Sequence, residues 1–462
     1  MVFWRYLPGI RELQIVVRFL QRRQAAPGLP SLQSIGSRLR LPNEGLWLNR
    51  DFMNLWGAET VSQFGSQITP VAIPLLAALT LNATPFQMGL LATVGGLPVL
   101  LFGFIAGAWV DRLRRKPIMM AADIGRAIVL LTIPIAALFD VLSIPLLMTV
   151  SLLVGAQTVM FNAAYVSILP SLVDRAQLSD ANGKLYSSQS LAQVAGPALA
   201  GSLVAWITAP VVILIDSISF LWSGLFIGRI RHDERADFER SVERHFWREV
   251  REGLHALFSS PVLRATTLST ATINLAGYMF LSVYVLYMTN ELGLSATGVG
   301  FVYASGGVGA LIGSVMAPRL AKRFGVGRTL VWAAIAQGAF GVTVPLAIVV
   351  PEYALPLVVF AEFMQWLSLV VFFITVLSLR QSITPNRLQG RVAASNQVLT
   401  GGMAPVGSFL GGTIGSVFSV QASLIAGIAG MFLAGFWVLF SPAIHIREMP
   451  TEPDEALDGY RA

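Results

Sequence analysis

The sequence contains no cysteine in 462 residues, and only 12% of its residues are charged. The absence of cysteine excludes disulfide bonds, thiolate catalysis and cysteine-ligated metal sites. A soluble globular protein carries about 25% charged residues, so the low charge content argues against a soluble fold. Positions 60–110 contain no Asp, Glu, Lys or Arg at all. We therefore expect most of the chain to lie in an apolar environment.

Sequence motifs of enzymes are also missing. The one Gly-Lys dipeptide, Gly183-Lys184, is followed by Leu185 and lacks the glycine spacing of a nucleotide-binding loop. The four histidines lie in predicted loops or tails, and none belongs to an HExxH motif. We therefore expect that the protein is not an enzyme and that it uses no metal ion and no cofactor.

Long apolar runs are what the sequence does contain. A run of 18 or more apolar residues is typical of a transmembrane helix, whereas the strands of a membrane barrel alternate apolar and polar residues over about ten positions. We therefore predict an all-α integral membrane protein with twelve transmembrane helices. The predicted helices cover roughly residues 52–80, 86–110, 117–139, 141–168, 184–206, 209–228, 263–289, 296–320, 329–350, 354–379, 391–417 and 420–442.

Basic residues are distributed unevenly over the predicted connections. Five charged residues stand within six positions at 111–116, and the intervening connections contain Asp140, Glu291 and Glu352 with almost no basic residue. Since Lys and Arg are enriched in cytoplasmic loops, both termini are predicted to be cytoplasmic. This orientation signal accounts for the net charge of +7, so we expect no nucleic-acid partner. The other basic connections are 1–50, 229–262, 319–328 and 387–391.

The chain also repeats itself after about 210 residues, since VAGPALAG (194–201) is echoed by MAPVGSFLGG (403–412). A repeat of this kind predicts a duplicated transporter with two pseudo-symmetric six-helix bundles. The predicted parts are a basic N-terminal extension that is disordered or forms an interfacial helix (1–45), the first bundle (46–228), a cytoplasmic linker (229–262), the second bundle (263–445) and a disordered cytoplasmic tail (446–462).

The linker contains one helical pattern. Phe246, Val250, Leu254 and Leu257 fall on one face of a helix in FWREVREGLHALF. This spacing predicts an amphipathic helix that lies on the inner membrane surface or, as the alternative, in solvent.

Several stretches resemble a known family. The segment GAWVDRLRRK (107–116) resembles the motif between the second and third helices of the Major Facilitator Superfamily. Three further stretches resemble the branch that contains the macrolide efflux proteins and the enterobactin exporter: 49–69, 169–201 and 380–397. The resemblance covers about residues 46–445. The chain departs from the usual motif at Arg114, and 141–168 lacks the arginine that many proton-coupled members carry.

The resemblance implies two bundles around a central cavity, which rock between inward- and outward-open states. It also implies an ionic latch between the bundles at the cytoplasmic side. The latch residues are Gly107, Asp111, Arg112, Arg115 and Lys116. Asp123 and Arg126 are three residues apart, so we expect them to pair with each other and to support the latch. The alternative for the charged segment is an orientation signal with solvated ion pairs.

Acidic residues within the predicted helices are the candidates for proton coupling, because a charge at mid-membrane costs at least about 2.5–3.5 kcal/mol. We predict that Glu59 carries a coupling proton and that Glu362 pairs with a cationic substrate or shares that role. The alternative for Glu59 is a static hydrogen bond between helices, and for Asp216 we expect a hydrogen-bonded structural role. The candidates that line the cavity are Gln63, Ser66, Asn274, Tyr278, Gln365 and Trp366.

The fifth predicted helix contains Gly196, Pro197 and Gly201, which resemble the family's antiporter signature. Proline removes one backbone hydrogen bond and glycine admits a close neighbour, so a kink is predicted here. The motif favours export over uptake.

These observations predict a secondary active transporter that exports amphipathic, drug-like small molecules by alternating access in exchange for protons. It is expected to be a monomer that contacts lipid as a multi-pass protein of the bacterial inner or plasma membrane. The alternatives are an exporter of one specific metabolite or siderophore, a lysophospholipid transporter, or a non-transporting membrane sensor.

Overall fold

The computed structural model describes residues 46–110, 113–174, 177–231 and 246–450. Within these ranges the regular structure is helical and contains no β-strand. Ten helices of the described chain are long and apolar enough to cross a membrane. The predictions made for 1–45 and for the tail beyond 450 lie outside the described residues.

Six long helices precede the linker. They are α1 (Arg50–Leu79), α2 (Pro85–Val110), α3 (Arg115–Leu138), α4 (Ile144–Leu172), α5 (Leu178–Ile207) and α6 (Ala209–Gly228). The linker contributes α7 (Phe246–Ser259). The helices that follow are α8 (Pro261–Leu286), α9 (Ala296–Phe324), α10 (Val326–Gly341), α11 (Ala354–Ile383), α12 (Asn386–Gly401), α13 (Met403–Val417) and α14 (Val420–Leu439).

Two predicted segments differ from the helices observed. The segment 391–417 is divided at Gly402 into α12 and α13, where two successive glycines weaken the helix. The segment 329–350 ends its main helix at Gly341 and continues only as the short turn Thr343–Leu346. The polar helix α1 and the divided pair α12 and α13 are not among the ten apolar helices.

The two sets of helices repeat with a constant offset. α2 begins at Pro85 and α9 at Ala296, 211 residues later, and α6 and α14 begin 211 residues apart at Ala209 and Val420. The packing repeats too: α1 packs on α5 and α6 as α8 packs on α13 and α14. α2 packs on α4 as α9 packs on α11, and α3 lies between α4 and α6 as α10 lies between α11 and α14.

Small residues bring neighbouring helices together inside each set. A methyl group on Gly313 of α9 would lie 2.6 Å from the carbonyl oxygen of Leu367 on α11. In a membrane, close backbone approach of this kind supplies the van der Waals contact that holds helices together. One apolar cluster lies in the first set, one lies in the second, and the third spans both, with Phe52, Phe372 and Leu130 among their respective fully buried side chains.

The linker helix α7 packs on the second set. Gly253 faces the backbone of Arg391 on α12, and Glu252 forms an ion pair with the Arg391 side chain. Ala256 and Leu257 are fully buried in the apolar cluster that also contains Leu388. Protein therefore covers this described part of the amphipathic face, which the sequence had placed on lipid or in solvent. The side chains of Phe246 and Val250 lie outside the described residues.

Candidate transport pathway

The two sets of helices meet at two equivalent crossings. At the first, α2 crosses α13, and a methyl group on Gly89 would lie 2.5 Å from the Cα of Gly412. At the second, α5 crosses α9, and a methyl group on Gly201 would lie 2.6 Å from the Cα of Gly300. Gly89 and Gly201 are each 211 residues from their counterparts Gly300 and Gly412. The two backbones touch directly at both crossings, because no side chain stands between them.

Both crossings lie toward one end of the molecule, which carries the connections 80–84 and 287–295. We call it the closed end. At the other end, which we call the basic end, methyl groups on Gly103, Gly183 and Gly390 would meet nothing within 4 Å. The two sets are therefore in direct backbone contact toward the closed end, whereas these three glycines near the basic end face open space.

Polar residues recur at three- and four-residue spacing along α1. Glu59 and Ser62 are buried, while Gln63 and Ser66 are half-buried. The amide nitrogen of Gln63 donates to a carboxylate oxygen of Glu59 at 3.2 Å, so this hydrogen bond lies within α1 itself. The second carboxylate oxygen of Glu59 is buried and has no hydrogen-bond partner among the described residues. Glu59 is thus a buried acid with one carboxylate oxygen that can still accept a hydrogen bond.

An ion pair lies in the middle of the first set. Asp123 and Arg126 on α3 form a salt bridge, with side chains that are 0% and 5% exposed. The Arg126 guanidinium also lies 4.5 Å from the ring centroid of Phe161 and 4.1 Å from that of Phe220. Two aromatic faces are favourable surroundings for a cation that water cannot reach. The expected local pair is therefore present, and it lies deep among α3, α4 and α6.

A third carboxyl belongs to the same region. Asp216 on α6 is 1% exposed and accepts hydrogen bonds from the hydroxyls of Thr69 and Ser219. Gly65 on α1 faces this group, since a larger residue there would collide with Asp216. Glu59, Asp123 and Asp216 all interact electrostatically with Arg126. We call these four residues the buried charge cluster.

The charge cluster contains three carboxyls and one cation. Arg126 is the only buried Lys or Arg in the described part of the chain. Sequence reasoning treated Glu59, the Asp123–Arg126 pair and Asp216 as separate features. Their spacing offered no signal of a common cluster, because α1, α3 and α6 come together only in the folded bundle.

Among its described residues, the second set holds a single buried acid. Glu362 on α11 is 4% exposed and accepts a hydrogen bond from the indole nitrogen of Trp366 at 2.8 Å. Tyr284 and Tyr303 pack edge to face with their ring centroids 6.2 Å apart, and both interact electrostatically with Glu362. Trp366 is 41% exposed, so the aromatic group extends from the buried carboxyl to the protein surface.

The other predicted cavity residues lie in two kinds of surroundings. Asn274 donates to the carbonyl oxygen of Thr400 at 2.9 Å, which ties α8 to α12. Tyr278, one turn further, is 41% exposed. Gln365 is 6% exposed, and its amide nitrogen has no hydrogen-bond partner among the described residues.

The predicted latch falls partly outside the described chain. Asp111 and Arg112 are not described, and of Gly107 only its position in α2 is given. Lys116 donates from its ammonium group to the carbonyl oxygens of Gly228 and Ile230, the first at 2.9 Å. These carbonyls belong to the end of α6, where a cation is favourable. Lys116 therefore fastens the start of α3 to the end of α6, a role that sequence reasoning missed.

The glycine-proline segment of α5 contacts both sets of helices. Gly196 faces the side chain of Gln67 on α1, and Gly201 faces α9 at the second crossing. α5 runs through Pro197 without interruption from Leu178 to Ile207. The segment therefore positions α5 against α1 on one face and against α9 on another.

Similarity to known proteins agrees with this architecture. Residues 47–459 match the family described as transmembrane secretion effector, MFS_3. The chain is 25% identical over 402 residues to the multidrug efflux pump Tap of Mycolicibacterium fortuitum, covering 84% of this chain and 95% of that protein. It is 26% identical over 234 residues to macrolide efflux protein A of Streptococcus pyogenes, covering 51% of this chain and 56% of that protein.

Solved structures share the fold. A bacterial homologue of the iron transporter ferroportin in its inward-facing state matches with a TM-score of 0.69 at 16% identity, covering 86% of this chain and 99% of that chain. The outward-facing state of a bacterial ferroportin homologue matches with a TM-score of only 0.51 at 17% identity, covering 84% of this chain and 98% of that chain.

These matches define the class of the protein: it is a non-enzymatic, multi-pass transporter of the bacterial cell membrane. The chain belongs to the transmembrane secretion effector family of the Major Facilitator Superfamily. The resemblance seen in the sequence is thereby confirmed.

Proposed function

We propose that the protein is a secondary active exporter that moves amphipathic small molecules out of the cell in exchange for protons. The proposal includes twelve membrane spans, with α1 and the divided pair α12 and α13 added to the ten apolar helices, and cytoplasmic termini. Export of drug-like compounds is supported by the names of the relatives, which are multidrug and macrolide efflux proteins.

Alternating access is supported by the two glycine crossings. They bring the two sets into direct backbone contact toward the closed end, and we infer that the basic end is open. With the basic end in the cytoplasm, this is the state that loads substrate from inside the cell. The switch to the outward-open state would part both crossings together, since the internal repeat relates them. The segment around Asp111 would then close the basic end as a latch.

Glu59 is the proposed proton carrier. Its carboxyl is buried, has one free acceptor oxygen and shares a single cation with two other carboxyls. An isolated charge is expensive in such a site, so a net negative cluster favours holding a proton. Glu59 also lies on the helix whose half-buried polar residues, Gln63 and Ser66, face away from the apolar core. A proton on Glu59 would therefore be linked to the arrangement of α1.

Glu362 is the proposed contact for cationic substrates. It is the buried acid of the second set, and its one described hydrogen-bond donor, Trp366, is partly exposed. Aromatic faces next to a carboxylate suit an organic cation with an apolar body. Movement of Trp366 would open a path from the space between the helices to Glu362.

The test is accumulation of a compound panel in cells that lack their own pumps, with and without this protein. The panel contains cationic dyes, neutral macrolides and siderophores, and each measurement is repeated with a protonophore. We expect lower accumulation of amphipathic compounds, an effect that the protonophore removes. Glu59→Gln should abolish the protonophore-sensitive part, with the unaltered protein at equal expression as the reference. Unchanged proton-driven export in Glu59→Gln would contradict the assignment of the proton to Glu59, and raised accumulation would contradict the direction.

A further inference from the structure

A groove on the outer face of the second set lies beneath a group of basic residues. Its volume is about 370 Å³, and it runs between the ends of α9 and α10 and the middle of α11. Thr329, Ala333 and Val371 form a buried floor. Phe324 and Trp332 form an exposed rim, at 51% and 68% exposure. The groove is open to the surroundings of the helices and separate from the space between the two sets.

The entrance of the groove is strongly basic. Arg319, Lys322, Arg323 and Arg328 lie at the end of α9 and the start of α10, and all four are exposed. None of them takes part in a salt bridge between described residues. The sequence contains no acidic residue between Glu291 and Glu352. Four positive charges therefore stand together without a nearby negative group from their own segment.

The backbone at this point is already satisfied. The N–H groups of Val326 and Gly327, at the start of α10, donate to the carbonyl oxygens of Arg447 and Ile446 at 3.2 and 2.9 Å. An anion at the entrance would therefore be held by the side chains and not by the end of the helix. Arginine and lysine side chains at the edge of a membrane attract anionic lipid head groups.

We propose that this groove is a binding site for an anionic phospholipid. Its phosphate lies among Arg319, Lys322, Arg323 and Arg328, and one acyl chain lies in the groove against Trp332. The groove follows α10 from Thr329 to Ala336, which is about 10 Å at 1.5 Å per residue, a length suited to part of one acyl chain. Any outward face of a membrane protein contacts lipid. What distinguishes this groove is its selectivity for a negatively charged head group.

The test uses purified full-length protein in nanodiscs that contain phosphatidylglycerol or phosphatidylcholine with brominated acyl chains. Bromine quenches nearby tryptophan, and the signal of Trp332 is obtained as the difference between the unaltered protein and Trp332→Phe. We expect half-maximal quenching of Trp332 at a lower mole fraction of phosphatidylglycerol than of phosphatidylcholine. In the double variant Lys322→Gln/Arg323→Gln the required mole fraction should rise by about fivefold for each charge removed.

The control variant is Arg231→Gln/Arg264→Gln, which removes two exposed charges from the same end away from the groove. Trp332 of this control should be quenched by each lipid as it is in the unaltered protein. Ala333→Leu fills the floor without changing charge, so it should weaken quenching by both lipids. Equal quenching by the two lipids, or an equal loss in the two double variants, would overturn the proposal. So would selectivity that appears only after removal of residues 451–462, because the tail would then occupy the basic entrance.

Discussion

The two halves of the transporter share one helix arrangement but differ in where they place charge. In the first half, Glu59, Asp123, Arg126 and Asp216 lie buried among α1, α3 and α6. The positions 211 residues later are Thr270, Ala334, Gln337 and Gly427, and none of them is charged. The second half has one described buried acid, Glu362, at a different position, and Lys322 stands exposed at the position that corresponds to Asp111.

This difference teaches that the shared fold does not require the buried charges. The second half packs equivalent helices with Ala334 and Gln337 where the first half has an ion pair, so packing alone holds the arrangement. A buried ion pair is weak support for stability, since desolvation of both groups opposes their attraction. The charges in the first half are therefore better explained by function, which agrees with the proton site proposed at Glu59.

The largest expected effect comes from splitting the buried ion pair. Asp123→Ala removes the salt-bridge partner of the buried Arg126 and should lower the free energy of unfolding by about 3–5 kcal/mol. The double variant Asp123→Ala/Arg126→Gln copies the residues of the second half and should recover most of that loss. Thermal unfolding in detergent measures both. A double variant as unstable as the single one would show that the first half depends on its charges for folding.

The glycine crossings should respond equally in the two halves. Gly201→Ala and Gly412→Ala each place a methyl group against the facing backbone, and overpacking of this kind costs about 1–3 kcal/mol. The equilibrium should shift about 5- to 150-fold away from the state with the closed end sealed.

The measurement for the crossings uses spin labels on Thr80→Cys and Phe418→Cys, which the cysteine-free chain allows without background labelling. Distances between the labels should lengthen in both glycine variants. Gly183→Ala on α5 is the control, because its methyl group meets nothing within 4 Å. A shift in only one crossing variant would break the symmetry claimed for them.

A smaller effect separates the roles of the two buried acids. Glu362→Gln should weaken export of cationic compounds by about tenfold, the value of one charge-assisted contact of about 1.5 kcal/mol. Export of neutral macrolides and its response to the protonophore should stay unchanged. Concentration dependence of export for one cationic and one neutral compound measures this. An equal loss of export for both compounds would mean that Glu362 stabilises the protein and does not contact the charge of the substrate.

The smallest effect concerns the linker. The Glu252–Arg391 pair is part-exposed, with side chains 27% and 41% exposed, and exposed pairs contribute about 0.2–1 kcal/mol. Arg391→Gln should therefore change the unfolding temperature only slightly. Gly253→Leu should release α7 from α12 and expose it to protease, because the glycine faces backbone there. If protease cut α7 equally fast in the unaltered protein, the linker would not belong to the second half.

Much of this could be read from the sequence because membranes impose simple rules. Long apolar runs predicted the helices, because every backbone N–H and C=O group in lipid must form a hydrogen bond within its own segment. The repeat of VAGPALAG in MAPVGSFLGG contains one glycine of each crossing, Gly201 and Gly412, whereas Gly300 and Gly89 lie outside it. The pairing of Asp123 with Arg126 followed from their spacing, because residues three apart share one helix face.

Other features depended on contacts between distant helices. The break at Gly402 and the docking of α7 on α12 left no clear mark in local composition. Asp216 joined the charge cluster only because α6 packs on both α1 and α3. The sequence placed Lys116 in the predicted latch, and only the structure shows that it caps the end of α6, 112 residues further along the chain.

The sequence by itself determined that this chain is a helical membrane protein built from two related halves, because apolar length and internal repetition are local properties of the chain. Only the tertiary structure decided which residues act together. It placed three carboxyls around Arg126, sealed one end through paired glycines and set a basic entrance above an apolar groove. Those arrangements depend on how helices pack across long sequence distances, and no single segment carries that information.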